Sequence, residues 1–137
     1  MGLGKSAVPA PERQYVASLR DELETTLLTI PGTRVRVNGN RSDRPREHRL
    51  YNTTNIYFEN CDSDALIMGL DGMAVSNGSA CTAASIDPSH VLLALGLTEQ
   101  EAFSCLRFSL GRFNTKADVA ATVDAVKGIV EELRALV

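Results

Sequence analysis

The sequence predicts an α/β domain of the α+β kind, a small and mostly antiparallel sheet covered on one face by two long helices. Three observations predict it. Apolar residues recur at helical spacing near both ends of the chain. Three or four short segments between them alternate polar with apolar residues, as half-buried strands do. The connections between those segments include a loop as well as helices, which argues against a sheet built only from parallel crossovers.

From Pro11 to Ile30, Val16, Leu19, Leu23, Leu27 and Ile30 step by three or four, while Arg20, Asp21, Glu22 and Glu24 occupy the other faces. Pro31 and Gly32 stop this helix, and Thr33 to Val37 alternates as a strand. Asn38 to Arg49 has almost nothing apolar to bury and is expected to be a mobile loop. Strand character resumes at Thr53 and runs to Phe58. Asp62 or Ser63 caps a short helix over Ala65, Leu66, Ile67 and Leu70, closed by Asp71 and Gly72 before a brief strand at Met73 to Val75. Asp87 and Pro88 read as a helix start with proline at the first position, leading into Val91 to Leu95 and ending at Gly96. Thr98 to Glu101 is a capping box, Leu106 to Leu110 a strand, and Gly111 its exit. Thr115 to Asp118 is a second capping box. It opens the most regular helix, with Val119, Val123, Val126, Val130, Leu133 and Val137 on one face.

The 137 residues, 44% hydrophobic and 23% charged, suit one domain with a continuous core. A net charge of −3 argues against general affinity for nucleic acid. No apolar run approaches the roughly 20 residues of a membrane span, and Met1 to Ser6 lacks the apolar stretch of a signal peptide. A soluble cytoplasmic protein, without a membrane partner, is expected.

Cys61, Cys81 and Cys105 are odd in number and fit neither a disulfide framework nor a C-x-x-C metal knuckle. They are expected to be free thiols. Cys61 and Cys105 sit at element edges among apolar neighbours, which favours burial over reactivity. Cys81 differs, because Ser76 to Ser85 contains no side chain larger than Asn or Cys. Such a run has few packing anchors and keeps a thiol reachable. About five residues from either anchor, at roughly 3.3 Å each, allow a swing on the order of 10 Å. A thiol on that tether can collect a group in one place and deliver it in another. The loop itself offers no base to deprotonate it.

Val75 to Cys81 (V-S-N-G-S-A-C), Pro88 to Gly96 (P-S-H-V-L-L-A-L-G) and Leu106 to Phe113 (L-R-F-S-L-G-R-F) carry a resemblance. In order and spacing they are similar to the C-terminal region of the cysteine desulfurases that have a long catalytic loop. Leu50 to Ile56 (L-Y-N-T-T-N-I) joins them, so the resemblance covers nearly the whole chain. It implies the C-terminal small domain of a fold-type I pyridoxal phosphate-dependent transferase. In that family the cofactor binds L-cysteine, and the loop cysteine attacks the substrate sulfur, leaving L-alanine and a cysteine persulfide. Cys81 matches this nucleophile. Arg107 matches the residue that pairs with the substrate carboxylate, a task for which a planar guanidinium is suited. The plainer alternative for Arg107 is a surface strand residue or an ordinary ion pair.

The resemblance also implies that the cofactor lysine, the histidine that stacks on the cofactor and the aspartate at its pyridine nitrogen belong to a large domain preceding this one. Lys5 lacks the expected neighbours and does not replace that lysine. The chain is therefore expected to be one domain of a longer, homodimeric enzyme, inactive alone, whose partners are L-cysteine, the large domain and a sulfur-acceptor protein. The alternative is a non-enzymatic persulfide carrier or docking module. Iron–sulfur cluster assembly, tRNA thiolation and DNA sulfur insertion all draw on similar loops, so the motifs leave the destination of the sulfur open. Asn77 stands where Ser or Thr is usual and Tyr51 where Pro is usual, which bears on loop geometry.

The remaining features are weaker. Gly4, Lys5 and Ser6 lack the upstream glycine and strand of a phosphate-binding loop. Six arginines between Arg34 and Arg49 face only Asp43 and Glu47; a solvated loop is the plainer reading of this basic patch than contact with an acidic protein or nucleic acid. His48 and His90 lack metal-ligand spacing. Met68 and Met73 read as core filler.

Overall fold

The computed structural model describes residues 8–39, 50–70, 74–78, 80–81 and 86–136, with residues 80, 81 and 86 as backbone. In chain order the elements are α1 (Ala10–Leu27), β1 (Val35–Val37), β2 (Thr53–Phe58), α2 (Ser63–Met68), β3 (Ala74–Ser76), β4 (Ala80–Cys81), β5 (Ile86–Asp87), α3 (His90–Ala94), α4 (Glu99–Ala102), β6 (Cys105–Ser109) and α5 (Lys116–Ala135).

Four strands form one sheet in the order β1-β2-β6-β3, every neighbouring pair antiparallel. Its register follows from hydrophobic alternation, since a slip by one residue would turn each core side chain to the other face. Ile56 lies opposite Leu106, and Thr54 and Val75 flank Phe108. Ile56, Phe58, Leu106 and Phe108 are fully buried beneath the long helices. From α1 come Val16, Leu19, Leu23 and Leu27; from α5 come Val119, Val123, Val126 and Val130. The two helices pack on each other as well as over the core.

Local chemistry sets the helix ends. Thr115 accepts from the Asp118 amide while the Asp118 carboxylate accepts from the Thr115 amide, and Thr98 and Glu101 do the same for α4. α1 ends at Leu27, before the expected Ile30, yet Ile30 remains buried in the turn that follows. Gly32 turns the chain at φ +81°, with the Arg134 guanidinium lying where a side chain would stand. Arg134 donates to the Pro31 carbonyl at 3.4 Å, tying the end of α5 to the end of α1.

Several expectations are corrected. Met68 is 88% exposed rather than core filler. Ser63, Leu66 and Leu70 form the buried stripe of this short segment, and Met68, two residues from Leu66, projects from the opposite side. Pro88 precedes α3 rather than opening it, because Ser89 is the N-cap and accepts from the Leu92 amide at 3.4 Å. Within the small-residue run, Ala80 and Cys81 form a two-residue ladder with β5, Ala80 opposite Asp87 and Cys81 opposite Ile86, a pairing on which the sequence reading made no statement. The sheet also carries a second layer. α3 and α4 cover part of its other face, where Tyr57, Leu92, Ala102 and Cys105 make a small buried cluster. The expected loop from 38 to 49 lies outside the described residues over 40–49, as do Gly4 to Ser6, His48, Met73, Val137 and the Asp71 and Gly72 stop.

Candidate active site

Arg107 occupies the middle of β6, a strand paired on both sides. Leu106 and Phe108 turn into the core, so the alternation of the strand sends Arg107 to the face opposite α1 and α5, where it is exposed. Its cross-strand neighbours are Asn55 on β2 and Ser76 on β3. Among the described residues no carboxylate pairs with its guanidinium. The alternative of an ordinary local ion pair therefore has no support among those residues.

Ser76 is also the last residue of β3, and Cys81 follows five residues later in β4. At about 3.3 Å per residue the Cys81 backbone lies within roughly 17 Å of the strand position beside Arg107. The sheet thus brings to one region two residues that are 26 apart in sequence.

Beside Arg107 lies a polar network that sequence reasoning did not anticipate. The Asn38 amide group donates to Asn55 Oδ1 at 2.8 Å and to Cys105 Sγ at 3.2 Å, and the Asn38 backbone N–H donates to the Asn55 carbonyl at 2.8 Å. Asn55 is the available signal, since asparagine within an otherwise β-branched and aromatic strand is out of character. Further along the same face the Arg36 guanidinium stacks over Tyr57 at 4.6 Å and pairs with Glu101 at 3.5 Å. The Thr98 backbone N–H holds the Glu101 carboxyl below its ordinary range, helped by Arg36. Burial, and then Glu59, pushes the Tyr57 hydroxyl up. Arg34 is likewise paired, with Glu59 at 3.8 Å, so both described arginines of the basic patch have partners.

The other two cysteines are structural. Cys61 and Cys105 are fully buried free thiols, donating to the Glu59 and Glu101 carbonyls at 3.5 and 3.2 Å. Burial raises both, and Cys105 rises from the ordinary 9.0 to about 11. Neither is a thiolate at neutral pH. Because the folded state holds the Cys105 proton more tightly than the unfolded chain, its contribution to stability is complete below about pH 9 and is lost as pH rises toward 11. The expected outcome is a urea midpoint that falls between those pH values, with a shallower fall in Cys105→Ala, followed by fluorescence or circular dichroism.

His90 is exposed at the start of α3. Among the described residues no group of His, Cys, Asp and Glu is placed to hold a metal ion, and no helix is long and apolar enough to cross a membrane. Clefts of about 330 and 390 Å³ flank Glu101, one reaching Asn38 and Leu97 and the other Tyr57 and Ser104, and Arg107 lines neither.

Known proteins resemble this chain in sequence and in fold. The family model for aminotransferase class-V matches residues 9–122. The chain is 45% identical over 127 residues to the cysteine desulfurase IscS of Haemophilus influenzae (strain PittEE), covering 93% of this chain and 30% of that protein. It is 37% identical over 139 residues to the cysteine desulfurase IscS of Shewanella sp. (strain ANA-3), covering 98% of this chain and 33% of that one. Among solved structures, the NifS-like protein from Rickettsia africae ESF-5 matches with a TM-score of 0.68 at 28% identity, over 89% of this chain and 30% of that one. The chain thus spans about 30% of the length of the curated relatives it matches. With a family match that runs from the start of α1 into α5 and takes in both Cys81 and Arg107, the chain belongs to the aminotransferase class-V family.

Proposed function

We propose that this chain is the C-terminal small domain of a cysteine desulfurase, supplying Cys81 as sulfur acceptor and Arg107 as the clamp for the substrate carboxylate. The observation that carries the reading is the exposed guanidinium of Arg107 on the central strand, without a carboxylate partner among the described residues and next to the strand end that leads to Cys81. A planar guanidinium in that position is ready to donate two parallel hydrogen bonds to an α-carboxylate.

In the reaction, the Cys81 thiolate attacks the sulfur of bound L-cysteine. The new S–S bond forms as the C–S bond breaks, and the carbon keeps the electron pair, which a proton then meets to give L-alanine. Cys81 is left as a persulfide for a sulfur-acceptor protein. The family is pyridoxal phosphate-dependent, and the described residues do not fit that cofactor. It needs a lysine within a pocket, whereas the described lysines, Lys116 and Lys127, are exposed on α5 and line neither of the clefts beside Glu101. Cofactor and electron sink therefore belong to a preceding large domain, and the parent enzyme is read as a cytoplasmic homodimer.

The test is to combine the chain with the pyridoxal phosphate-binding segment of such an enzyme and assay L-alanine and sulfide from L-cysteine. Activity is expected only in the combination. Arg107→Ala is expected to raise KM for L-cysteine by about 10- to 100-fold, as loss of a charge-assisted pair does. Arg107→Lys, with a point charge in place of the fork, is expected to recover part of that loss. Since Arg107 is exposed, its thermal midpoint is expected to move by no more than a few degrees. A KM within about twofold of the parent would remove Arg107 from the substrate site.

A further inference from the structure

Between Ser76, which lies opposite Arg107, and Cys81 in β4 the backbone turns through Asn77 and Gly78. Gly78 has φ +69°, a left-handed conformation suited to glycine, and its N–H donates to Ser76 Oγ at 3.0 Å. A Cβ at Gly78 would meet the Ser89 side chain at 3.3 Å. Ser89 is the N-cap of α3, two residues past β5, so the two ends of the β4–β5 hairpin meet at this point.

Asn77 fastens that junction to α2. Its Nδ2 donates to the Asp64 carboxylate at 2.8 Å and to the Ser63 hydroxyl at 3.2 Å. The anchor is itself well held. Ser63 is buried and its backbone N–H donates to the Phe103 carbonyl at 2.8 Å, while the Asp64 N–H donates to the capping Asp62 carboxylate at 2.8 Å. A hydroxyl side chain at residue 77 would offer one O–H donor on a shorter stem, whereas the carboxamide offers two N–H donors.

We propose that Asn77 is a positioning residue for Cys81, acting through Asp64 and Ser63 to fix where the β4–β5 hairpin leaves the sheet. The proposal rests on the reading of Cys81 as the sulfur carrier. With that root held at Asn77, the Cys81 backbone, four residues on, lies within about 13 Å of a point beside Arg107.

A nitroxide attached to Cys81 of the whole chain reports the motion of the hairpin. Cys61 and Cys105 are fully buried, so the label goes to Cys81, and its loss in Cys81→Ser verifies the assignment. Removing a hydrogen bond to a charged group in Asn77→Ala is expected to enlarge the fast-moving component of the spectrum about fivefold. Asn77→Asp, which sets two carboxylates against each other, is expected to enlarge it further. Combining Asn77→Asp with Asp64→Asn restores an amide facing a carboxylate and is expected to return the parent spectrum, with melting midpoints unchanged throughout. An unchanged spectrum in Asn77→Ala, or a double variant as mobile as Asn77→Asp alone, would overturn the proposal. The spectrum does not depend on sulfur chemistry, so its failure is distinct from failure of the desulfurase reading, which the assay of L-alanine and sulfide from L-cysteine reads separately.

Discussion

Cys81→Ser, assayed with the cofactor-binding segment present, is expected to lower L-alanine and sulfide release by at least ~10³-fold, to the background of the segment alone. Attack on the substrate sulfur needs a polarisable thiolate. An ordinary cysteine is a few per cent ionised at neutral pH, whereas a serine hydroxyl is not ionised there at all. The alternatives within the chain are closed off by burial, because Cys61 and Cys105 have no solvent access and burial raises both thiols, Cys105 to about 11. The covalent intermediate is read directly as a proteolytic peptide containing Cys81 that carries one extra sulfur atom. Sulfur on that peptide in the parent, and on none in Cys81→Ser, is the expected pair of spectra. Undiminished turnover in Cys81→Ser would remove the nucleophile assignment and the proposed function with it.

The second large effect is on stability. Phe108→Ala is expected to cost about 3–5 kcal/mol. Phe108 has no solvent exposure, sits on the central strand between Thr54 and Val75, and packs into the core beneath α1 and α5. Truncation there leaves a void in a close-packed core, and a strand paired on both sides has little room to collapse into it. For a domain of this size the loss is comparable with the total stability of about 5–15 kcal/mol. Urea unfolding is expected to show a midpoint far below that of the parent with an unchanged slope. The same variant moves Arg107, one residue away on the opposite face, so a coupled loss of substrate affinity is expected where the protein is still folded. A cost under about 1 kcal/mol would mean that the core is not built around this strand.

Where the chain's own local chemistry suffices, the sequence is legible. The valine stripe of α5, the two capping boxes, the alternation of β2 and β6 and the burial of Cys61 and Cys105 all depend on neighbours within a few residues, and the structure agrees with each. The antiparallel pairing and the cover of two long helices, which are not local, are also as expected. Misreadings fall where the answer depends on a partner distant in sequence. Met68 is apolar, but which side of α2 meets the core is decided by Leu66 and Leu70 packing inward.

By itself, the sequence determined the helices, the alternating strands and the identity of Cys81 and Arg107 as the residues of interest, because periodicity, capping and motif order are written in short stretches of chain. Only the tertiary structure decided that Arg107 is exposed on the face away from the long helices, that Ser76 lies across from it, that Asn38 and Asn55 meet beside it, and that Asn77 fastens the Cys81 hairpin to Asp64. The physical reason is that cross-strand register and side-chain hydrogen bonds join residues 13 to 31 positions apart, and such contacts exist only once the sheet has closed.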